Sequence, residues 1–265
     1  MTPLRQTGDA RHNGSGQDPV AAAYDPGTYG RGVAEVYDAL YRSVPETDEA
    51  VEALAELSAG GRILEMGIGT GRLALPLQAR GVHVAGIEGS EEMLAQLREK
   101  PGGGEIPVSV GDFAEVRVEG RFSVVVLALH TIFGLPTPEH QIRCFENAAR
   151  HLAPEGVFVV EARVIDPADF KGGQAIEPRF SDAEQVELQV QRFDQVTQRM
   201  EVTNIHLSGE GIQLNAYVNQ YTTPREFDLM ARIAGLRLRD RWEGWRREPF
   251  TSHSRRHVSV YERRA

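Results

Sequence analysis

The chain is short of cysteine, of long apolar runs and of basic charge, and each shortage removes a class of protein. One cysteine, Cys144, stands among 265 residues. An internal disulfide and a cysteine-rich zinc site are therefore excluded. No apolar stretch approaches the roughly 20 residues that cross a bilayer. The opening MTPLRQTGDARHNGSGQDP has no apolar segment of the kind a secretory signal needs. A cytoplasmic protein with no membrane attachment is the expectation. The formal net charge of −9 has the wrong sign for a general nucleic-acid binder. Arginines do gather late in the chain, at Arg232, Arg237, Arg239, Arg241, Arg246 and Arg247. They alternate with acids and apolar residues, as solvated faces do. Cys144 itself sits in CFENAARHL, a helical pattern, and reads as a small buried apolar residue.

What is present organises itself into five parts. Residues 1–20 are polar and glycine-rich and read as a disordered tail. Residues 21–58 hold two helices: Val33, Val36, Tyr37, Leu40 and Tyr41 recur at helical spacing, and DEAVEALAELS runs to Gly60-Gly61. Residues 59–163 alternate strand and helix. The strands are RILEM, VHVAGIE, PVSVGD, FSVVVLAL and GVFVVEA; the helices include SEEMLAQLREK, capped by Ser90, and PEHQIRCFENAARHL. Near-continuous apolar strands in such alternation predict a parallel α/β sheet covered on both faces, doubly wound and Rossmann-like. Residues 164–222 break the rhythm. ELQVQRFD, TQRMEVTNIHLS and IQLNAYVNQYT read as three antiparallel strands with turns at Asp194-Gln195 and Gly209-Glu210-Gly211. Residues 223–265 add a helix, with Thr223 as cap, Pro224 in first position and Gly235 as stop, and then two strands.

The sharpest motif is ILEMGIGTGRL. Glu65 ends a strand, and Gly67, Gly69 and Gly71 form a tight turn into a helix. Glycines let such a backbone take positive φ and approach a ligand closely. Glu88 ends the second strand, where a carboxylate suits both hydroxyls of a ribose. Asp112 and Phe113 follow the third, where an acid and a ring suit an adenine. NAD is one candidate ligand, and an NAD-dependent oxidoreductase the matching function. Its glycine fingerprint is G-x-G-x-x-G, whereas Arg72 occupies the sixth place here. An acid beside the loop would also repel a pyrophosphate, while it suits an ammonium and a sulfonium.

These stretches resemble the class I S-adenosylmethionine (SAM) dependent methyltransferase family. ILEMGIGTG, GIEGSEEML, VGDF, FSVVVLALHTIF and HLAPEGVFVVEA carry the likeness over residues 60–163. It implies a seven-stranded, mostly parallel sheet, with SAM as cofactor and no metal. It implies that Glu65, Gly67, Gly69 and Gly71 hold the methionine end, Glu88 the ribose, and Asp112 and Phe113 the adenine. Met93 would line the adenine pocket, though a core role fits a helical methionine equally. Leu129 and the lid residue Tyr29 would also face the cofactor. A protein that binds SAM without catalysis is the remaining alternative.

Methyl transfer is an in-line displacement, so the chain has to align the acceptor and exclude water. His130 follows the fourth strand at the expected edge, and an imidazole with its ordinary pKa near 6.5 suits proton removal. Glu161 and Arg163 end the fifth strand; they would orient a polar acceptor or pair with each other. Thr131, Phe133, Tyr24 and Tyr217 would complete the acceptor pocket, with Asn219 and Tyr221 on the same strand face as Tyr217. The antiparallel insertion would wall that pocket or form a homodimer contact. Trp242 and Trp245 fit core or pocket mouth. His206, His253 and His257 show no metal spacing and read as structural. The expected activity is methylation of a nitrogen or oxygen on a small molecule, such as a natural-product intermediate, with no nucleic-acid substrate.

Overall fold

The computed structural model of the protein describes residues 24–40 and 46–264. The expected tail and Tyr41 lie outside the described residues. Two helices lead in, α1 (Thr28–Leu40) and α2 (Thr47–Ser58). The alternating part follows as β1 (Ile63–Met66), α3 (Ala74–Ala79), β2 (Val84–Glu88), α4 (Glu91–Glu99), β3 (Val108–Val110), β4 (Phe122–Leu127), α5 (Pro138–His151) and β5 (Leu152–Arg163). Four strands come next: β6 (Gln174–Ser181), β7 (Gln185–Asp194), β8 (Arg199–Ser208) and β9 (Gly211–Gln220). The chain then forms α6 (Pro224–Ile233), β10 (Leu236–Trp242) and β11 (Arg256–Arg263).

Seven strands make one sheet in the order β10-β11-β5-β4-β1-β2-β3. The five from β5 to β3 are parallel, and β11 runs against both of its neighbours. Strand alternation divides the interior into two cores. Val124 and Val126 of β4 face α2, α3 and α4 through Leu54, Leu77 and Leu97. Val125 and Leu127 face α5 and α6 through Phe145 and Phe227. This is the doubly wound α/β arrangement expected from the apolar strands. Trp245 belongs to the first core and is 3% exposed. Trp242 lies under the Arg247 guanidinium. No helix among the described residues is long and apolar enough to cross a membrane.

Local chemistry sets several boundaries. Ser90 accepts the Met93 N–H and starts α4. Thr223 and Glu226 form a reciprocal capping box at α6, with Pro224 in the first turn. Gly235, at φ 76°, turns the chain out of that helix.

The insertion departs from expectation in one respect. It is a four-stranded antiparallel sheet, β6-β7-β8-β9, rather than three strands. β6 carries Pro178 and is exposed for most of its length, so it shows neither the alternation nor the composition of a covered strand. The turn after β7 is also longer than the expected Asp194-Gln195 pair. Residues 195–198 separate the strands, and Gln198 takes φ 54°.

Candidate active site

The carboxyl ends of the parallel strands bring most of the expected residues together. Gly67, Gly69 and Gly71 have φ of 72°, 55° and 87°. A Cβ at position 67 would stand 2.8 Å from Thr131 Cγ2, and one at 71 would stand 2.5 Å from Leu97 Cδ1. Position 69 opens onto free space instead, with no atom within 4 Å of that point. The loop therefore needs glycine for packing at two places, and at the third it bares its backbone to the crevice.

Two acids flank this loop. Glu88 Oε2 accepts the Gly69 N–H at 2.8 Å, and its Oε1 accepts the Ser90 N–H at 3.0 Å. Burial raises the Glu88 carboxyl, and these bonds oppose the rise. Glu65 is 5% exposed, and its Oε2 has no hydrogen-bond partner. Burial pushes its carboxyl up to about 8; the Arg72 charge opposes this and the Glu88 charge adds to it. An unpartnered carboxyl in such a place is costly unless a cation or donor answers it.

On the β3 side, Asp112 Oδ1 accepts the Ala114 N–H at 2.7 Å. Burial raises this carboxyl too. Phe113 is buried, with Cδ1 3.9 Å from where a Gly67 Cβ would sit. Asn147 of α5, which the sequence reading did not single out, donates to the carbonyls of Phe113 and Val116 at 2.9 Å each. Tyr24 is found on this side of the crevice. Its ring meets His140 edge to face at 5.6 Å, and burial and the nearby Asp112 charge raise its hydroxyl.

Across the crevice, Leu129 and His130 take the left-handed region at φ 48° and 62°, unusual for residues with side chains. Glu161 holds both: its Oε2 accepts the Leu129 N–H at 3.0 Å and its main-chain carbonyl accepts the His130 N–H at 3.1 Å. Glu161 and Arg163 form no ion pair with each other. Arg163 stands opposite Arg256 in the β5–β11 register. Arg256 pairs with Glu46, whereas the Arg163 side chain has no hydrogen-bond or ion partner among the described residues. His130 Nδ1 is buried without a partner. Burial, and then the charges of Arg163, His257, Arg256 and Arg179, push its imidazole down to about 3. The expected base with an ordinary pKa is thus a firmly neutral imidazole.

Phe133 also needs correction. It is 1% exposed and packs on Tyr221 and Phe227, so it supports the His130 ring from within the core instead of lining a pocket. Tyr221 is core as well, its hydroxyl accepting the Ile165 N–H. Gln141, not foreseen from sequence, joins this region to the insertion. Its Nε2 donates to the carbonyls of Ile132 at 3.2 Å and Gln220 at 2.8 Å, and the Thr222 hydroxyl donates to its Oε1.

Helix α1 lies over the crevice from both sides. The Thr70 hydroxyl donates to Asp38 Oδ1 at 2.6 Å. Lys100 pairs with Asp38 at 2.5 Å and donates to the Thr70 carbonyl at 2.8 Å. Tyr29 meets Tyr217 of β9 edge to face at 5.4 Å. Gly30 is seated on Ser90, where any Cβ would collide with that side chain at 2.3 Å. Met93 packs with Val33 and Ala34 of α1, so its burial is shared with this helix. Among the described residues no group of His, Cys, Asp and Glu could hold a metal. His257 Nδ1 bonds with the Ser259 hydroxyl at 2.8 Å, His206 faces Glu187 at 3.6 Å, and the His253 N–H donates to Thr251. Cys144 is fully buried, and burial raises its thiol.

A parallel sheet in this order, closed by a reversed last strand, with acids at the ends of β1 and β2 around a glycine loop, defines a class of SAM-binding transferases. A family model described as a methyltransferase domain matches residues 63–156. The solved CcbJ methyltransferase from Streptomyces caelestis is 38% identical over 91% of this chain and 100% of its own, with a TM-score of 0.85. The cypemycin N-terminal methyltransferase of a Streptomyces species is 29% identical over 246 residues, 90% of this chain and 99% of that protein. A SAM-bound amino pentose methyltransferase from Micromonospora echinaspora is 25% identical, covering 96% of this chain and 100% of its own, with a TM-score of 0.63. The chain belongs to the class I SAM-dependent methyltransferase family; it is an enzyme, and SAM is its methyl donor. The oxidoreductase alternative falls with this finding.

Proposed function

We propose that the chain methylates an amine nitrogen of a small molecule, with the acceptor enclosed between α1, the Leu129–His130 turn and the insertion sheet. The observation that carries this reading is His130: an imidazole in the left-handed turn after β4, kept neutral by burial and by the nearby positive charges, with its Nδ1 buried and unpartnered. The burial that chiefly depresses His130, and the positive charges that add to it, also disfavour an acceptor ammonium, leaving the amine uncharged with its lone pair available. His130 Nδ1 accepts a hydrogen bond from the amine N–H and aims it, rather than serving as a strong proton sink. Arg163 supplies an unused guanidinium for an anionic or carbonyl group of the acceptor. Tyr217 and Tyr29 close the opening. The named relatives fit a nitrogen acceptor, one being an N-terminal and another an amino pentose methyltransferase.

The residues present suit SAM. The bare Glu65 Oε2 would take its ammonium, the Gly69 backbone would lie along its methionine end, and Glu88 would bind the ribose hydroxyls. Asp112 and Phe113 would hold the adenine, with Leu129, Met93 and Tyr24 around it. Bound SAM supplies a methyl group on a positively charged sulfur, which makes that carbon electrophilic. The latch of Asp38, Thr70 and Lys100 makes α1 the lid that excludes water from this crevice.

The direct test offers paired small molecules that carry an amine or a hydroxyl at the same position and follows release of S-adenosylhomocysteine. Turnover of the amine alone is expected; turnover of the hydroxyl alone overturns the reading. His130→Asn, which keeps a residue at ease in the left-handed region, should lower kcat at least tenfold and leave S-adenosylhomocysteine affinity within about threefold. Full activity would remove His130 from the acceptor site. Glu88→Ala should weaken S-adenosylhomocysteine by about 1–3 kcal/mol in a calorimetric titration. It should also lower the melting temperature, because the Gly69 and Ser90 N–H groups lose their acceptor. Unchanged affinity would refute the ribose assignment.

A further inference from the structure

Arg117, Arg121, Arg150 and Arg263 line a recess of about 900 Å³ at the amino ends of β4 and β5, the edge of the sheet opposite the methyl-transfer crevice. Buried Ala149 and His151 belong to its lining, and Glu146 is the one carboxylate there. Basic side chains near the end of a helix commonly answer its last carbonyls, and two do so here. Arg121 donates to the Arg150 carbonyl, and Arg263 Nη2 donates to the carbonyls of Ala149 at 2.7 Å and Leu152 at 3.1 Å. Arg150 donates to Asn147 Oδ1 at 3.4 Å. These bonds hold three guanidinium groups around the recess and spend one or two N–H groups of each, leaving the others unspent. Arg117 makes no such bond. None of the four has a carboxylate partner among the described residues, whereas Arg143 of α5 pairs with Glu115 and Arg237 of β10 with Glu262. The protein as a whole carries −9. At the floor, His151 Nε2 accepts the Val118 N–H at 2.9 Å and Nδ1 bonds the Asn147 carbonyl at 2.8 Å. Burial lowers this imidazole, the Asn147 bond opposes the fall, and the charges of Arg150 and Arg121 lower it further.

We propose that this recess binds a small molecule carrying two or more neighbouring oxyanion groups, phosphate or carboxylate. The planar fork of a guanidinium matches the oxygens of either group bidentately. Four guanidinium groups against one carboxylate leave an excess of positive charge that a single anionic group cannot answer. The volume lies within the roughly 300–1,000 Å³ of small-molecule sites. A long polyanion such as a nucleic acid is a poor occupant, because the acidic remainder of the surface repels it. The arginines come from the turn before β4, the end of α5 and the end of β11, so a bound polyanion ties together parts of the chain that are distant in sequence. It should therefore stabilise the folded protein by mass action. The inference stands apart from the methyl acceptor, since it concerns the opposite edge of the sheet.

Titration calorimetry of the full chain at low salt, with pyrophosphate and with citrate, tests it; the two probes separate phosphate from carboxylate recognition. At least one of them should bind at a single site and raise the melting temperature. Sulfate, with one anionic group, should bind at least about tenfold more weakly than the better probe. Arg117→Glu and Arg150→Glu should each weaken that probe by about tenfold or more. Both should keep S-adenosylhomocysteine affinity within about threefold, because the cofactor site is distant, and this also shows that the variants are folded. Should Arg150→Glu unsettle the end of α5, Arg117→Glu, which breaks no bond, carries the test. Arg163→Ala should leave the affinity for the probe as it was. Binding of neither probe at millimolar concentration overturns the inference, and so does sulfate binding as tightly as the better probe. Unchanged affinity in Arg117→Glu overturns it as well. A loss in Arg163→Ala would put the anion in the methyl-transfer crevice and overturn it equally.

Discussion

Glu65→Gln is expected to weaken S-adenosylhomocysteine binding by about 2–3 kcal/mol, roughly 30- to 150-fold, while leaving the free protein at least as stable as before. The two halves of this result come from the same carboxyl. In the free folded chain burial holds it up at about 8, so near neutral pH it is mostly protonated. In the unfolded chain it ionises in the ordinary range near 4.3. Between those values the folded state binds more protons than the unfolded one. Its contribution to stability therefore falls as pH rises from about 4 to 8. Glutamine has no such dependence, and it fills the same space. A bound ammonium reverses the balance by favouring the ionised form. Binding near pH 7 should thus release up to one proton, and affinity should climb with pH until about 8. Titration calorimetry in two buffers of different ionisation heat reads that proton directly. Identical heats in both buffers would mean that Glu65 is not the group that meets the ligand's charge.

Glu161→Ala is expected to cost about 2–3 kcal/mol of stability and to reduce kcat more than tenfold. The half-buried Leu129 N–H would be left without an acceptor. Leu129 would lose the side-chain contact that holds its left-handed conformation, while the His130 N–H would keep its bond to the main-chain carbonyl at position 161. Glu161→Gln keeps an acceptor oxygen at that point, so it should recover most of the melting temperature and most of kcat. If glutamine were as damaging as alanine, the negative charge itself would matter, and Glu161 would act on the acceptor instead of on the turn. Thermal unfolding and steady-state rates on the two variants separate these outcomes.

What could be read from sequence was what local rules write. Ser90, Thr223, Pro224 and Gly235 mark helix ends within four residues of the groups they bond. The glycine loop and the acids at strand ends could be placed because alternation locates a strand's end within a residue or two. Interactions that span the chain left no such mark. Glu161 meets Leu129 across 32 residues, and Gln141 meets Gln220 across 79. An apolar residue just past a strand is equally suited to a pocket or a core, which is how Phe133 was misplaced. Tyr24 meets His140 and lies near Asp112, contacts that span the chain and that no local pattern marks. His130 was read with the pKa of an isolated imidazole, whereas its neighbours come from β5, β6 and β11. β6 escaped because its exposed faces carry no apolar pattern.

Strand β11 enters the sheet between β5 and β10, although it follows both of them along the chain. A growing polypeptide leaving the ribosome therefore carries β5 with one bare, strongly apolar edge until residues 256–263 emerge. Protection of that edge thus waits on residues far downstream of β5, and shortening the chain before Arg256 would leave β5 open to pairing with any strand at hand.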